Sequence, residues 1–376
     1  VEAATARARQ LTSAIVNSLA YPHLQWVDAT TLLVAKIART PADDAQSSIP
    51  LEPDVAEFDA SNAQRGFATP TVRVAPLRPH EREKVLAFMD SQYVSVDLQG
   101  SMRETGISGA GIFVQPSPDG RYLLADRLYD PLERAYGAPR RIDVIEREGK
   151  RIFTVLDRRE SVTDGGFFNP DIVTPGRRQV LWHPQHPARL QWLVAIEDAA
   201  KKDTGADELR VLDAPFTAQP HSVYRSDRRL QDVYWLPEDG FLAFENQVGT
   251  QRSRLAHVSV QSRDAKVTPL IEYAGQPEGA GIPRIPPFRD AAPLMRRNSY
   301  GQHVSAISAD GRYAYTIDYF RSKLARLDLR SGRLEPLVEN GSNAGLFVDF
   351  VDDNARSALF FASRPGKGNA LIRRDL

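Results

Sequence analysis

Cysteine is absent from the 376 residues, which removes disulfides, zinc–thiolate sites and cysteine nucleophiles from the chemistry open to this chain. A dominant sign of charge is missing as well. Lys plus Arg and Asp plus Glu number 48 each, for a formal net charge of +0, and no long block carries one sign. Such a chain exerts no long-range pull on nucleic acid or on an anionic membrane, so neither is expected as a partner. Long apolar runs are also lacking, and none approaches the roughly 20 residues that span a bilayer. The first residue is Val1 rather than Met, as expected of a chain trimmed after synthesis or freed of a tag.

What is present is repetition. The stretch Ser117-Pro118-Asp119-Gly120-Arg121-Tyr122-Leu123-Leu124-Ala125 returns as Ser308-Ala309-Asp310-Gly311-Arg312-Tyr313-Ala314-Tyr315-Thr316. An Asp-Gly turn feeding a β-prone run, repeated far apart in one chain, is the mark of stacked sheet units. A second pattern recurs three times: an aromatic, a turn, then an apolar run. It reads Trp26-Val27-Asp28 before Leu32 to Ile37, Trp182-His183-Pro184 before Leu190 to Val194, and Trp235-Leu236-Pro237 before Phe241 to Phe244. Each predicts the inner hairpin of a blade. Outer hairpins follow from alternating residues around glycine turns: Tyr93 to Leu98 with Gly100; Arg140 to Glu146, Gly149 and Ile152 to Leu156; Leu255 to Val260 and Val267 to Ile271; Leu324 to Leu329, Ser331-Gly332 and Leu334 to Val338.

The pattern predicts an all-β fold, a β-propeller of seven four-stranded blades, six of them visible as hairpins and the seventh inferred. Radial repetition lets a propeller of this length remain one closed unit. Residues 1–22 are expected as an N-terminal helical segment, with Leu11, Ile15 and Leu19 at fourfold spacing, and residues 23–376 as the propeller. Insertions are expected at about 38–90 and 275–294, rich in Pro and Gly. The first closes in a predicted helix from Pro79 to Met89, with Val85, Phe88 and Met89 on one side. Trp26, Leu124, Val144, Trp182, Trp192, Trp235 and Phe244 are assigned to packing between blades.

Candidate chemistry is sparse. Gly106-Ile107-Ser108-Gly109-Ala110 comes nearest to a nucleophile elbow, but an elbow requires a helix directly after the serine, and a hairpin follows here. His183 and His186 suggest a metal, yet Pro184 and Pro187 point to a turn and no third ligand lies nearby in sequence. Asp349, Asp352, Asp353 and Asn354 cluster oxygens without the glycine and terminal Glu of a helix-loop-helix calcium site. Arg140-Arg141 and Arg296-Arg297 read as strand-end charges or as anion clamps. Neither a cofactor nor a metal is expected.

The ordered pieces carry a family resemblance. Pro118-Asp119-Gly120-Arg121-Tyr122-Leu123-Leu124, Pro139-Arg140-Arg141-Ile142-Asp143-Val144, Gly149-Lys150, and Gly176-Arg177-Arg178 leading to Trp182 resemble the propeller of glutamyl endopeptidases, within the prolyl oligopeptidase class of serine peptidases. Asp213-Ala214-Pro215-Phe216, Thr250-Gln251-Arg252, Arg297-Asn298-Ser299-Tyr300-Gly301, Ala362-Ser363-Arg364, Asn369 and Arg373-Arg374-Asp375-Leu376 extend it over most of Tyr93 to Leu376. The resemblance implies a propeller, commonly of seven blades, set over a C-terminal α/β-hydrolase domain with a Ser-Asp-His triad. That domain is expected to lie outside this chain, so catalytic residues are expected to be none and the chain inactive alone. Expected partners are the α/β-hydrolase domain, in cis or as a separate chain, and a peptide substrate. Arg134, Tyr136, Arg140 and His303 are expected near the domain interface or pore. Location is expected to be periplasmic or secreted. Two other readings stand beside this one: a free-standing propeller that binds a peptide or protein, and a propeller enzyme such as a metal-dependent lactonase.

Overall fold

The computed structural model describes residues 8–14, 16–20, 24–38, 79–133, 137–162, 173, 176–200, 202–237, 240–250, 252–260, 265–273, 292–293, 295–297, 303–318, 323–339, 347–350, 357–364 and 368–375. They form antiparallel sheets in chain order. Sheet 1 holds β1 (Leu24–Trp26), β2 (Thr31–Ile37), β3 (Ser91–Asp97) and β4 (Met102–Gly109). Sheet 2 holds β5 (Ile112–Pro116), β6 (Tyr122–Leu128), β7 (Arg140–Glu146) and β8 (Arg151–Arg158). Sheet 3 holds β9 (Arg177–Trp182), β10 (Arg189–Glu197), β11 (Asp203–Asp213) and β12 (His221–Ser226). Sheet 4 holds β13 (Arg229–Trp235), β14 (Gly240–Asn246), β15 (Ser253–Ser259) and β16 (Lys266–Tyr273).

Sheet 5 joins β17 (Ala292–Pro293) to β20 (Tyr313–Asp318), β21 (Lys323–Asp328) and β22 (Leu334–Glu339), while β18 (Met295–Arg297) and β19 (His303–Ser305) pair as a ribbon. Sheet 6 shows β23 (Phe347–Phe350), β24 (Ser357–Arg364) and β25 (Gly368–Asp375). The fold is a β-propeller; the hairpins marked in the sequence fall in sheets 1 to 5, and sheet 6, with three strands among the described residues, holds none of them.

The repeated motif repeats its geometry. Ser117 Oγ donates to Asp119 Oδ1 at 2.7 Å and accepts from Tyr122 N at 3.0 Å; Ser308 Oγ donates to Asp310 Oδ1 at 2.5 Å and accepts from Tyr313 N at 3.0 Å. Both turns close through a glycine at φ 68°, a region glycine reaches without steric cost. A Cβ on Gly120 would lie 2.7 Å from the Val27 carbonyl oxygen of sheet 1, so this turn also packs closely on its neighbour.

Side-chain alternation explains why the second strands read as unbroken apolar runs. On β6, Leu123 and Ala125 enter the core shared with sheet 1, and Leu124 enters the core shared with sheet 3. On β14, Phe241 and Ala243 face sheet 3 while Leu242 faces sheet 5. Both faces of sheets 2 and 4 are therefore buried, as sheets stacked face to face require. Leu124, Val144, Trp182, Trp192, Trp235 and Phe244 are all buried, as expected.

Trp26 is a correction: 57% of it is exposed. β1 has only three residues, and Gln25, not Trp26, points to sheet 2, where its Nε2 donates to the Val114 carbonyl. The N-terminal segment also differs from expectation. Its described residues 8–14 and 16–20 contain no helical turn. Val16 bridges Lys36, Asn17 N donates to Ala35 O at 2.8 Å, and Leu11 packs on Val34, Val94 and Val96. A short isolated helix is marginal, and local bonds compete with it here: Thr12 Oγ1 accepts from Ala14 N and Asn17 Oδ1 from Leu19 N, each at 3.0 Å. The helix α1 (Pro79–Met89) forms where expected, with proline in its first turn. Met89 is buried, whereas Phe88 stays exposed. No described helix is long and apolar enough to cross a membrane. The remainder of the first insertion, 39–78, and most of the second lie outside the described residues.

Candidate functional site at the inner strands

First strands of neighbouring sheets meet across the sheet boundaries. Gln25 of β1 reaches Val114 O of β5, Trp182 Nε1 of β9 donates to Gln115 O of β5 at 2.9 Å, and Gln179 Nε2 of β9 donates to Gln231 O of β13. Where sheets converge lies the axis, so these strands form the inner ring. Exposed residues on them are Leu24, Trp26, Gln115, Gln179 and Leu181, a mixture of apolar groups and neutral amides.

At the end where first strands begin, charge is concentrated between sheets 3 and 4. Arg229, the first residue of β13, is fully buried; its Nη1 lies 2.5 Å from Asp207 Oδ1 and its Nη2 2.5 Å from Asp203 Oδ2. Asp207, also fully buried, is bound by Arg178 Nη2 at 2.5 Å and by Leu230 N at 2.8 Å. Burial pushes the Asp207 carboxyl up, against the pull of the two guanidinium groups. Glu245 adds a second knot: Tyr224 OH donates to it at 2.8 Å, Ser226 Oγ at 2.5 Å, and Arg254 Nε also pairs with it. Burial and the Glu245 charge push the Tyr224 hydroxyl above its ordinary value. Arg177 instead stacks its guanidinium 4.8 Å from the Trp192 ring centroid and donates to Val155 O; burial lowers its pKa.

At the opposite end the inner turns nest. Asp119 N donates to Pro187 O at 3.0 Å, tying sheet 2 to sheet 3, and Gln185 Nε2 donates to Leu236 O, tying sheet 3 to sheet 4. His183 sits in this nest, 2% exposed, its ring centroid 3.8 Å from that of Trp235. Its Nδ1 accepts from Gln185 N at 3.2 Å, and burial, with His186 and Arg189 beside it, pushes its pKa down to about 2. His186 faces Arg189 Nη1 at 2.9 Å. The histidine pair thus serves turn packing.

Among the anticipated site residues, Arg140 begins β7; its Nη1 lies 3.2 Å from Asp126 Oδ2, whose carboxyl burial pushes up. His303 begins β19, opposite Arg297 in the ribbon. The ribbon's Val304 joins the core of sheets 3 and 4, whereas Arg140 belongs to sheet 2. Arg134 and Tyr136 lie outside the described residues, as do Asp352, Asp353 and Asn354. Asp349 lies in β23 opposite Leu359. Ser108 lies within β4, paired with Gln92, in a strand–turn–strand setting. Arg141 is held by Asp143 at 2.8 Å and by Thr154 at 3.2 Å.

Sequence reasoning missed the Arg178–Asp207–Arg229 network and the inner glutamines. A signal was available: Arg177-Arg178 and Arg228-Arg229 stand at the same place in two successive units, where a strand-end charge meets the neighbouring sheet.

No family model matches the chain. A probable chloroplastic glutamyl endopeptidase of Oryza sativa subsp. japonica is 23% identical over 315 residues, covering 81% of this chain and 32% of that protein. Its Arabidopsis thaliana counterpart is 22% identical over 289 residues, covering 75% of this chain and 29% of that protein. Among solved structures, an acylaminoacyl peptidase complex is 11% identical with a TM-score of 0.41, covering 76% of this chain and 41% of that one. The protein is a β-propeller, and its resemblance to proteins named as probable glutamyl endopeptidases holds over most of its length. It spans about a third of the length of the curated relatives it matches.

Proposed function

We propose that this chain is the substrate-gating propeller of a glutamyl-endopeptidase-like serine peptidase, filtering peptides over an α/β-hydrolase domain supplied in cis or as a separate chain. The carrying observation is the match of four-fifths of this chain to about a third of proteins named as probable glutamyl endopeptidases. In this role the propeller makes and breaks no bonds; it limits which chains reach the catalytic groups and how they are presented. The inner ring of amides and apolar side chains suits contact with peptides of varied sequence. Arg134, Tyr136, Arg140 and His303 are proposed near the pore or domain interface, and export to the periplasm or outside the cell as the location.

The test is to assay the purified chain on a fluorogenic peptide ending in Glu, alone and mixed with a separately produced hydrolase segment of the same enzyme. Silence alone and cleavage by the mixture are expected, with access restricted to short peptides. A mixture that cleaves folded proteins as readily as the hydrolase segment does by itself would sink the gating role. The second reading, a free-standing propeller that binds a peptide or protein partner, draws on the exposure of Leu24 and Trp26 at the inner ring. An inert mixture, with the chain binding peptides alone, would favour it.

A further inference from the structure

An inner ring of β-strands presents edges, and a strand edge beside an extended peptide is a template for main-chain pairing. Each of the four inner strands of sheets 1 to 4 carries a device against this. β1 is three residues long, too short for a ladder. On β5, Ile112 O accepts from Tyr93 OH at 2.9 Å and Val114 O from Gln25 Nε2, so carbonyls that a peptide would need are already held. β9 is bulged against β10 between Gln191 and Leu193, with Gln179 at φ 49°, a left-handed residue that breaks the extended edge. On β13 the register shifts between Leu230 and Asp232, and Gln231 O is taken by Gln179 Nε2.

Four strands reach one result by different residues. We infer that the inner edges are built to refuse main-chain pairing, so that an extended peptide at the axis is read through its side chains alone. This rests on the peptide-gating reading and gives it a recognition mode. The groups left to read a peptide are Leu24, Trp26 and Leu181, with the amide of Gln115. A conduit of this kind does not capture β-prone chains, because no ladder forms to hold them. Affinity then depends on side chains and stays weak enough for release.

The experiment uses two fluorescein-labelled peptides of about ten alternating Thr and Val residues, one unmodified and one N-methylated at alternate positions, which removes the donors a ladder requires. Fluorescence anisotropy with the intact chain reads binding of each. The expected result is no difference between them for the wild-type chain, and a gain of about tenfold in preference for the unmodified peptide when Gln25→Ala and Gln179→Ala free the Val114 and Gln231 carbonyls. A wild-type preference of about tenfold or more for the unmodified peptide, with amide-exchange protection on β5, β9 or β13, overturns the inference. A folded double variant that gains no preference overturns it too. Should the double variant fail to fold, the wild-type comparison still decides. Failure of gating itself would appear elsewhere, in the turnover of peptides and folded proteins by the mixed enzyme.

Discussion

Replacing Arg229 by Met tests whether charge organises the boundary between sheets 3 and 4. The guanidinium is fully buried and spans two carboxylates, Asp207 and Asp203, and the Ala206 carbonyl at 3.2 Å. Asp203 is 41% exposed at its side chain and can turn to water, so its loss of a partner costs little. Asp207 cannot, being buried on all sides. Breaking a buried pair from one side costs about 3–5 kcal/mol, and the surviving Arg178 contact at 2.5 Å places Arg229→Met near the lower end, at about 3 kcal/mol. Asp207→Asn leaves two guanidinium groups facing a neutral amide, and a similar loss is expected. Because the double variant no longer strands one charge opposite another, its loss should fall short of the sum by about 1–3 kcal/mol. Urea unfolding followed by tryptophan fluorescence reads the three midpoints. Additive losses, or an Arg229→Met loss below about 1 kcal/mol, would refute the account of this boundary as a coupled ionic knot.

Trp192→Ala should cost about 3–5 kcal/mol, because Trp192 is 1% exposed between sheets 2 and 3, whereas Trp26→Ala should stay within about 0.5 kcal/mol; thermal melts of the two variants compare them directly. Asp232, half-buried on β13 and raised by burial to about 6, binds its proton more tightly folded than unfolded, so wild-type stability falls as pH rises from about 4 to about 6. Asp232→Asn should therefore stabilise the chain at pH 8 by up to about 3 kcal/mol and leave it unchanged at pH 4, which urea midpoints at the two pH values would show. His183 has the opposite sign: held neutral with a pKa near 2, it contributes stability present above about 6.5 that is lost as pH falls. His183→Gln should remove a slope of about 1.4 kcal/mol per pH unit between pH 6 and 5, a change measurable in the same titration.

The inner and outer hairpins were legible because two local rules coincide there: a turn residue with restricted backbone geometry and a run of apolar residues of strand length. Ser117 to Ala125 and Ser308 to Thr316 show this best, since the same serine, aspartate and glycine make the same bonds. Trp26 misled because a tryptophan before a turn looks alike whether its strand has three residues or seven. Burial depends on what lies across the sheet, and that is not local. The N-terminal segment misled for a related reason: fourfold apolar spacing fits a helix, but the chain instead lies along β2, where Ala35 O accepts from Asn17 N. The inner glutamines were illegible, because Gln25 and Gln179 bond to carbonyls 89 and 52 residues away, and an amide carries no sequence pattern that points so far.

The boundaries between sheets are not chemically alike. Sheets 1 and 2 meet through an apolar core of Val27, Leu33, Ala35, Ile107, Val114 and Leu123, to which Gln25 on Val114 O, Tyr93 on Ile112 O and Arg147 on Asp28 add directional bonds. Sheets 4 and 5 meet through Leu236, Leu242, Leu255 and Leu327, with His257 bonded to the Leu329 backbone. Between sheets 3 and 4 the apolar core is joined by Arg229 to Asp207 and by Tyr224 and Ser226 to Glu245. Apolar contact is non-directional and tolerates a small slide at little cost, whereas buried hydrogen-bonded charges hold one geometry or lose several kcal/mol. Sheets 3 and 4 are accordingly fixed in register, with the Gln179–Gln231 contact at the inner ring fixed along with them. A widening of the axis therefore costs most between sheets 3 and 4, where buried hydrogen-bonded charges would part, and less wherever apolar side chains slide.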